Sequence, residues 1–236
     1  MAESEELDDV MLLLEAYRNE KAAPEILPYQ GELVEHLKEL TERQEEIIEE
    51  EASEQNVLVS ICQMELNRVV YLLRAYHRTR LQKIEKNVMF YMADSTSTEF
   101  QKLSFHEQDY AQNYFQLSEQ HFKRSVLDHL PEAFQDYMHQ SDASEAPDMV
   151  PEPNADAHVL MRVKEDLGRV VLDARYCSAQ GVALRSIRPA EAHAFVAGLV
   201  RLSRNDVDVT FRKGDLYIVR YEPMKQFLRD GKVCLV

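Results

Sequence analysis

Tryptophan is absent from this 236-residue chain, and glycine (six) and cysteine (three) are scarce. No apolar run approaches the ~20 residues that a membrane-spanning helix requires. Each scarcity excludes a class of function. Six glycines leave little material for backbone cradles around phosphate, and neither a phosphate-binding P-loop nor a serine nucleophile elbow occurs. Cys62, Cys177 and Cys234 contain no close pair, which excludes a disulfide framework and a CxxC metal site. Cys62 and Cys234 sit among apolar neighbours and read as small core residues. The eight histidines (36, 77, 106, 121, 129, 139, 158 and 193) are scattered, with no HExxH motif. The N-terminus is acidic and lacks the positive-then-apolar pattern of a signal peptide. A soluble, intracellular protein without cofactor is expected.

Basic residues are also scarce where the chain begins. Residues 1–60 carry four Lys/Arg against eighteen Asp/Glu, a balance of −14 within a total of −15. Surface of that sign repels phosphate backbones. Its carboxylates read as solvated helix faces without the apolar cover that perturbs a pKa. Residues 61–92 reverse the balance, with Arg68, Arg74, Arg78, Arg80, Lys83 and Lys86 against Glu65 and Glu85. An acidic second helix lying beside a basic third accounts for this within one domain. A nucleic-acid groove is the alternative, but no aromatic residues are interleaved there to stack bases.

What the chain has in quantity is helical periodicity. Residues 7–19 form a short amphipathic helix stopped at Pro24, and residues 31–51 a second with a Glu-rich exposed side. Residues 55–92 read as one helix spanning nearly 60 Å at about 1.5 Å per residue. Ser104 is a candidate N-cap with Glu107 three residues on, as in a capping box. The fourth helix, 105–129, carries Tyr110, Tyr114, Phe115, Leu117, Phe122 and Val126 toward a core and stops before Pro131. Residues 140–157, with Pro147, Pro151 and Pro153, have the profile of an extended linker. Beyond it, 158–164, 169–173, 207–211 and 216–221 read as strands. Lys213-Gly214-Asp215 forms a hairpin turn between the last two. Pro223 opens a helix over 224–229, and 232–236 is a final strand. The fold class is α+β, mostly α: an antiparallel helical bundle (1–139) with one very long central helix, a linker (140–157) and a small β-rich domain (158–236) with an insertion at about 174–206.

The third helix is the most informative. From Leu58 to Val88 its apolar residues fill an arc of roughly 200°, about twice the stripe that a helix facing one core needs. Three short neighbours cannot cover it, so another polypeptide is expected to seal part of it. About 800 Å² of exposed apolar surface would forfeit about 20 kcal/mol of gross burial, so the chain is expected to be unstable alone. Glu65, Arg80 and Lys83 project within this arc and either snorkel and pair inside the chain or form ion pairs across a subunit boundary. The interface candidates are Glu65, Arg68, Leu72, Tyr76, Arg80, Lys83 and Ile84.

Several segments together resemble the Sld-five subunit of GINS, the four-subunit complex of the eukaryotic replication fork. Asn19-Glu20-Lys21 and Pro24 precede the second helix as in that family. Ser60, Ile61, Gln63, Met64, Glu65, Arg68, Tyr71, Tyr76, Arg78, Arg80, Leu81, Lys83, Ile84, Glu85 and Lys86 keep the family spacing along the third. Similarity extends over residues 103–104, 130–132, 159–163 and 207–236. The resemblance implies a non-catalytic, nuclear subunit assembled with three paralogous GINS subunits. It further implies membership of the CMG helicase with the minichromosome-maintenance ring and its third partner, where ATP hydrolysis belongs to those partners. The leading-strand polymerase is another implied contact, with DNA contact indirect at most and no membrane. The 174–206 insertion departs from the family pattern, and within it Pro189, Phe195, Leu199 and Leu202 suit a helix.

Residues 8–14 loosely resemble the short acidic and leucine-rich peptide by which some replisome proteins dock on the trimeric Ctf-four adaptor, with Asp8, Asp9, Val10 and Leu14 as the docking residues. The other reading packs Val10, Leu13 and Leu14 into the bundle. Two further classes fit parts of the pattern: a helical tethering scaffold, which would not need the β domain, and a DNA-contacting accessory protein using the basic third helix.

Overall fold

The computed structural model describes residues 2–51, 57–93, 98–131, 134–138, 150–173, 201–202 and 206–236. Nearly all of the 174–206 insertion lies outside the described residues. Two compact units make up the chain, Met1–Leu13 with Ile26–Pro153, and Leu14–Glu25 with Asn154–Val236. A boundary drawn at residue 139 does not anticipate that 14–25 groups with the C-terminal residues.

The first unit is built from α1 (Ala2–Ala22, through Leu13), α2 (Gly31–Glu51), α3 (Val57–Lys86), α4 (Val88–Ala93) and α5 (Phe105–Ser125), with 3₁₀ turns at Phe100–Lys102 and Leu127–His129. α2 packs on α3, and α4 and α5 pack on each other. The core gathers Ile26, Ile84, Tyr91, Phe100, Leu103 and Ala111, flanked by Leu81, Phe90, Met92 and Tyr110.

The long third helix is shorter than its periodicity predicts. It ends at Lys86 because the Asn87 N–H is shared between the carbonyls of Lys83 and Ile84, both at 3.2 Å, which tightens the turn before α4 resumes. Asparagine suits such a break, since its side chain competes with the backbone for hydrogen bonds. The capping box of α5 forms as its spacing predicts: Ser104 Oγ accepts from the Glu107 N–H, and the Glu107 carboxylate accepts from the Ser104 N–H at 2.9 Å. α5 itself ends at Ser125, four residues before its expected end.

The second unit holds two antiparallel three-stranded sheets. β1 (His158–Val163) lies between β5 (Leu216–Arg220) and β6 (Val233–Leu235), while β4 (Asp206–Phe211) lies between β2 (Gly168–Asp173) and β3 (Arg201–Leu202). In β1, β5 and β6 alternate side chains are buried, so one face of that sheet meets a core containing Val159, Met161, Tyr217, Val219, Val233 and Leu235. Phe211 and Tyr217 meet edge to face at 4.8 Å.

β4 and β5 do not form the expected hairpin. They belong to different sheets, and the turn between them bonds to the end of β1, with Gly214 N–H donating to the Val163 carbonyl and Val163 N–H to that of Asp215. Gly214 at φ 87° occupies a conformation that side-chain-bearing residues rarely adopt. α6 (Tyr221–Arg229) starts earlier than expected, and Pro223 sits inside its first turn, where a missing N–H leaves no bond unmade.

Candidate assembly interface

The broad apolar arc of α3 divides into two stripes of different fate. Leu66, Val69, Leu73, Tyr76 and Arg80, spaced alternately three and four residues apart, turn into the chain; all but the half-buried Val69 are buried. On another side, Val57, Ile61, Met64, Arg68 and Tyr71 repeat the same spacing and remain open to solvent. Val57 is 73% exposed, Met64 71% and Tyr71 64%, with Leu58 beside them at 65%. An a/d repeat of this kind is the seam by which one helix packs on another. Fully burying such side chains is worth about 1.5–3 kcal/mol each. A second exposed apolar set, Phe105, Leu117, Phe122, Val126, Leu130 and Phe134, follows α5 and the residues after it. Of that helix's expected core residues Leu117, Phe122 and Val126 are therefore open while Tyr110, Tyr114 and Phe115 are half-buried, and only Glu107 and Ala111 of α5 are buried.

Arg80 corrects the interface expectation most sharply. It is fully buried, and its guanidinium grips Glu107 in a two-point pair, Nε to Oε1 at 2.8 Å and Nη2 to Oε2 at 2.9 Å. Nη1 donates to the Leu27 carbonyl at 2.6 Å and Nη2 to that of Lys102 at 3.1 Å. The rings of Tyr29 and Tyr76 lie 5.3 and 5.6 Å from it, within cation–π range. One side chain thus joins α3, the segment before α2, the 3₁₀ turn and the first turn of α5. The pairing is intrachain, and Arg80 does not reach a surface where a partner could meet it. Burial raises the pKa of Tyr29, and burial followed by Lys38 lowers that of His77, whose Nε2 has no hydrogen-bond partner.

The remaining predicted residues separate in the same way. Leu72, Tyr76 and Ile84 are buried within the chain, so they too are core residues and not interface residues. Glu65 and Arg68 are exposed and pair with each other at 3.4 Å, and Lys83 is half-buried. Among the family-motif residues, Arg78, Glu85 and Lys86 are exposed. Glu85 accepts from the Tyr110 hydroxyl at 2.6 Å, which pushes that phenol up to about 12. Cys62, read from sequence as a core residue, is exposed, and Cys234 is half-buried.

At the N-terminus Leu13 is fully buried and Val10 and Leu14 half-buried, while Met11 and Leu12 are more than half exposed. Asp9 pairs with His36 of α2 at 2.9 Å, and the side chain of Asp8 lies outside the described residues. The solvated-carboxylate reading fails at two positions, Glu20 and Glu25, both buried. Asn19 accepts from the Leu235 N–H, Lys21 lies 5.8 Å from the Tyr17 ring, and Pro24 is half-buried.

Among the described residues no cluster of His, Cys, Asp and Glu could hold a metal ion, and no helix is long and apolar enough to cross a membrane. Two family profiles match. Residues 32–126 match the GINS complex protein helical bundle domain, and residues 193–236 match the C-terminus of the DNA replication complex GINS protein SLD5. The chain is 37% identical over 231 residues to the DNA replication complex GINS protein SLD5 of Arabidopsis thaliana, covering 97% of this chain and 91% of that one. It is 30% identical to the protein of the same name from Rattus norvegicus, over 95% of this chain and 87% of that one.

Proposed function

The chain belongs to the Sld5 family of GINS complex proteins, and from that membership we propose that it is a non-catalytic structural subunit of a heterotetrameric GINS complex, acting in the nucleus in the initiation and elongation of chromosomal DNA replication. Its partners are three paralogous GINS subunits and, through them, the other CMG helicase components, the minichromosome-maintenance ring and its third partner, which carry the ATP chemistry. Contacts with the leading-strand polymerase and a Ctf-four-type adaptor belong to the same proposal. Docking on the adaptor through Asp8, Asp9, Val10 and Leu14 requires this part of α1 to be released from its packing, since Val10 and Leu14 are half-buried and Leu13 between them is fully buried.

The observation that carries the reading is the open stripe Val57, Ile61, Met64, Arg68 and Tyr71 on α3. A seam this apolar and this regular is a liability on a solitary protein and an asset in an obligate assembly. A DNA-binding function through the basic residues of the same helix is the weaker reading, because Arg68 is already paired with Glu65.

Co-expression with the three paralogues tests the proposal. The wild-type chain gives a stoichiometric four-chain species by size and mass that persists in high salt, whereas Met64→Glu with Tyr71→Glu yields three chains without this one. Arg74→Glu, on an exposed position outside the stripe, leaves assembly unchanged. A monodisperse, well-folded monomer that ignores its paralogues, or DNA affinity that falls steeply with salt, refutes it.

A further inference from the structure

We infer that residues 14–25, the last turns of α1 and the bend that follows it, are an integral part of the C-terminal module, without which the module's terminal sheet and last helix are incomplete. The first observation is at the sheet edge. β6 is an outer strand, paired on one side only to β1. Its hydrogen-bonded pairs with β1 include Val236 with Leu160 and Lys232 with Lys164. Antiparallel alternation then makes Leu235, opposite Met161, a residue whose N–H points away from the ladder. That outward donor lands on Asn19 Oδ1 at 2.7 Å, and Leu235 is buried. Asparagine supplies a side-chain carbonyl where a further strand would supply a backbone one, and the open edge is covered at that donor.

The second observation is independent of the first. Six residues on, the buried Glu25 carboxylate accepts from the Tyr221 hydroxyl at 2.8 Å through Oε1 and from Lys225 Nζ at 2.6 Å through Oε2. Tyr221 and Lys225 are both on α6, so Glu25 anchors that helix as Asn19 anchors β6. Tyr221 is itself fully buried, and burial beside the Glu25 carboxylate holds its phenol far above the ordinary range, so it remains a donor at any pH the protein meets. A third, more exposed contact, Glu15 with Lys164 at 2.5 Å, lies one turn before Asn19. The surface of the module therefore fits one kind of occupant, a helix end presenting an amide, followed six residues later, in the bend beyond the helix, by a carboxylate. This chain carries that occupant itself at 14–25.

Backbone amide exchange on the full chain in its co-purified complex tests the inference. In Asn19→Ala with Glu25→Gln, peptides covering 158–163 and 221–235 exchange at least tenfold faster, while peptides covering 72–84 and 105–111 stay within twofold of wild type. Lys21→Ala, an exposed neighbour in the same motif, changes neither set. Tyr221→Phe, which deletes one hydroxyl and keeps the ring, speeds exchange across 221–229 by about tenfold, as loss of one hydrogen bond to a charged group predicts. It decides the matter if the double variant is not recovered. Unchanged exchange in the module, or a rise of equal size in the bundle peptides, overturns the inference.

Discussion

Replacing Arg80 by methionine keeps much of the volume of the side chain but deletes at once the hydrogen bonds to Glu107 Oε1 and Oε2 and to the carbonyls of Leu27 and Lys102. The dominant cost is the partner left behind. Glu107 is buried, and only its bond from the Ser104 N–H then remains to offset the desolvated carboxylate. Removing one member of a buried ion pair costs about 3–5 kcal/mol, a large part of the stability of an ordinary domain. At about 1.4 kcal/mol per tenfold, amides of α3 and of the first turn of α5 should open and exchange with solvent two to three and a half orders of magnitude faster in the assembled complex. Arg74→Met, on the exposed side of the same helix, should change exchange less than twofold. If Arg80→Met raises exchange by less than tenfold, the buried pair is not what joins these four segments.

Other consequences can be checked more briefly. Ser104→Ala removes half of the capping box and should cost about 1 kcal/mol, read as a fall of a few degrees in the melting temperature of the bundle; no shift would mean that the cap is redundant. Burial lowers the folded-state pKa of His77 below the unfolded value of 6.5, so the unfolded chain takes up the proton first. Stability is therefore full above pH 6.5 and declines as the pH falls toward the lowered folded value. His77→Gln should flatten that part of the stability profile, and an unchanged slope would contradict it. Cys62, exposed in the isolated chain, should react with maleimide much faster than the half-buried Cys234, whose thiol pKa is raised by burial. Equal labelling rates would contradict the placement of the two thiols.

Much of the secondary structure was legible because it depends on neighbours within one turn. The reciprocal bonds of Ser104 and Glu107 need only a three-residue spacing, and β1, β5 and β6 follow from alternation. The break at Asn87 was not legible, because the apolar period runs through it undisturbed while the backbone changes its hydrogen-bond step. Glu20 and Glu25 were misread as solvated, since nothing near them in sequence provides cover.

What the sequence by itself determined was that α3 carries more apolar surface than one core needs, and that it is flanked in the chain by other helices and followed by a small β-rich module. It could not say which part of that surface faces inward. The tertiary structure decided that, together with the fate of Arg80, whose partners lie 27, 53 and 22 residues away, and of Asn19, whose partner lies 216 residues away. The physical reason is the same in each case. Periodicity specifies how much surface a helix must hide, whereas the identity of the group that covers a buried charge or an open strand edge depends on which distant segments chain folding brings within hydrogen-bonding range.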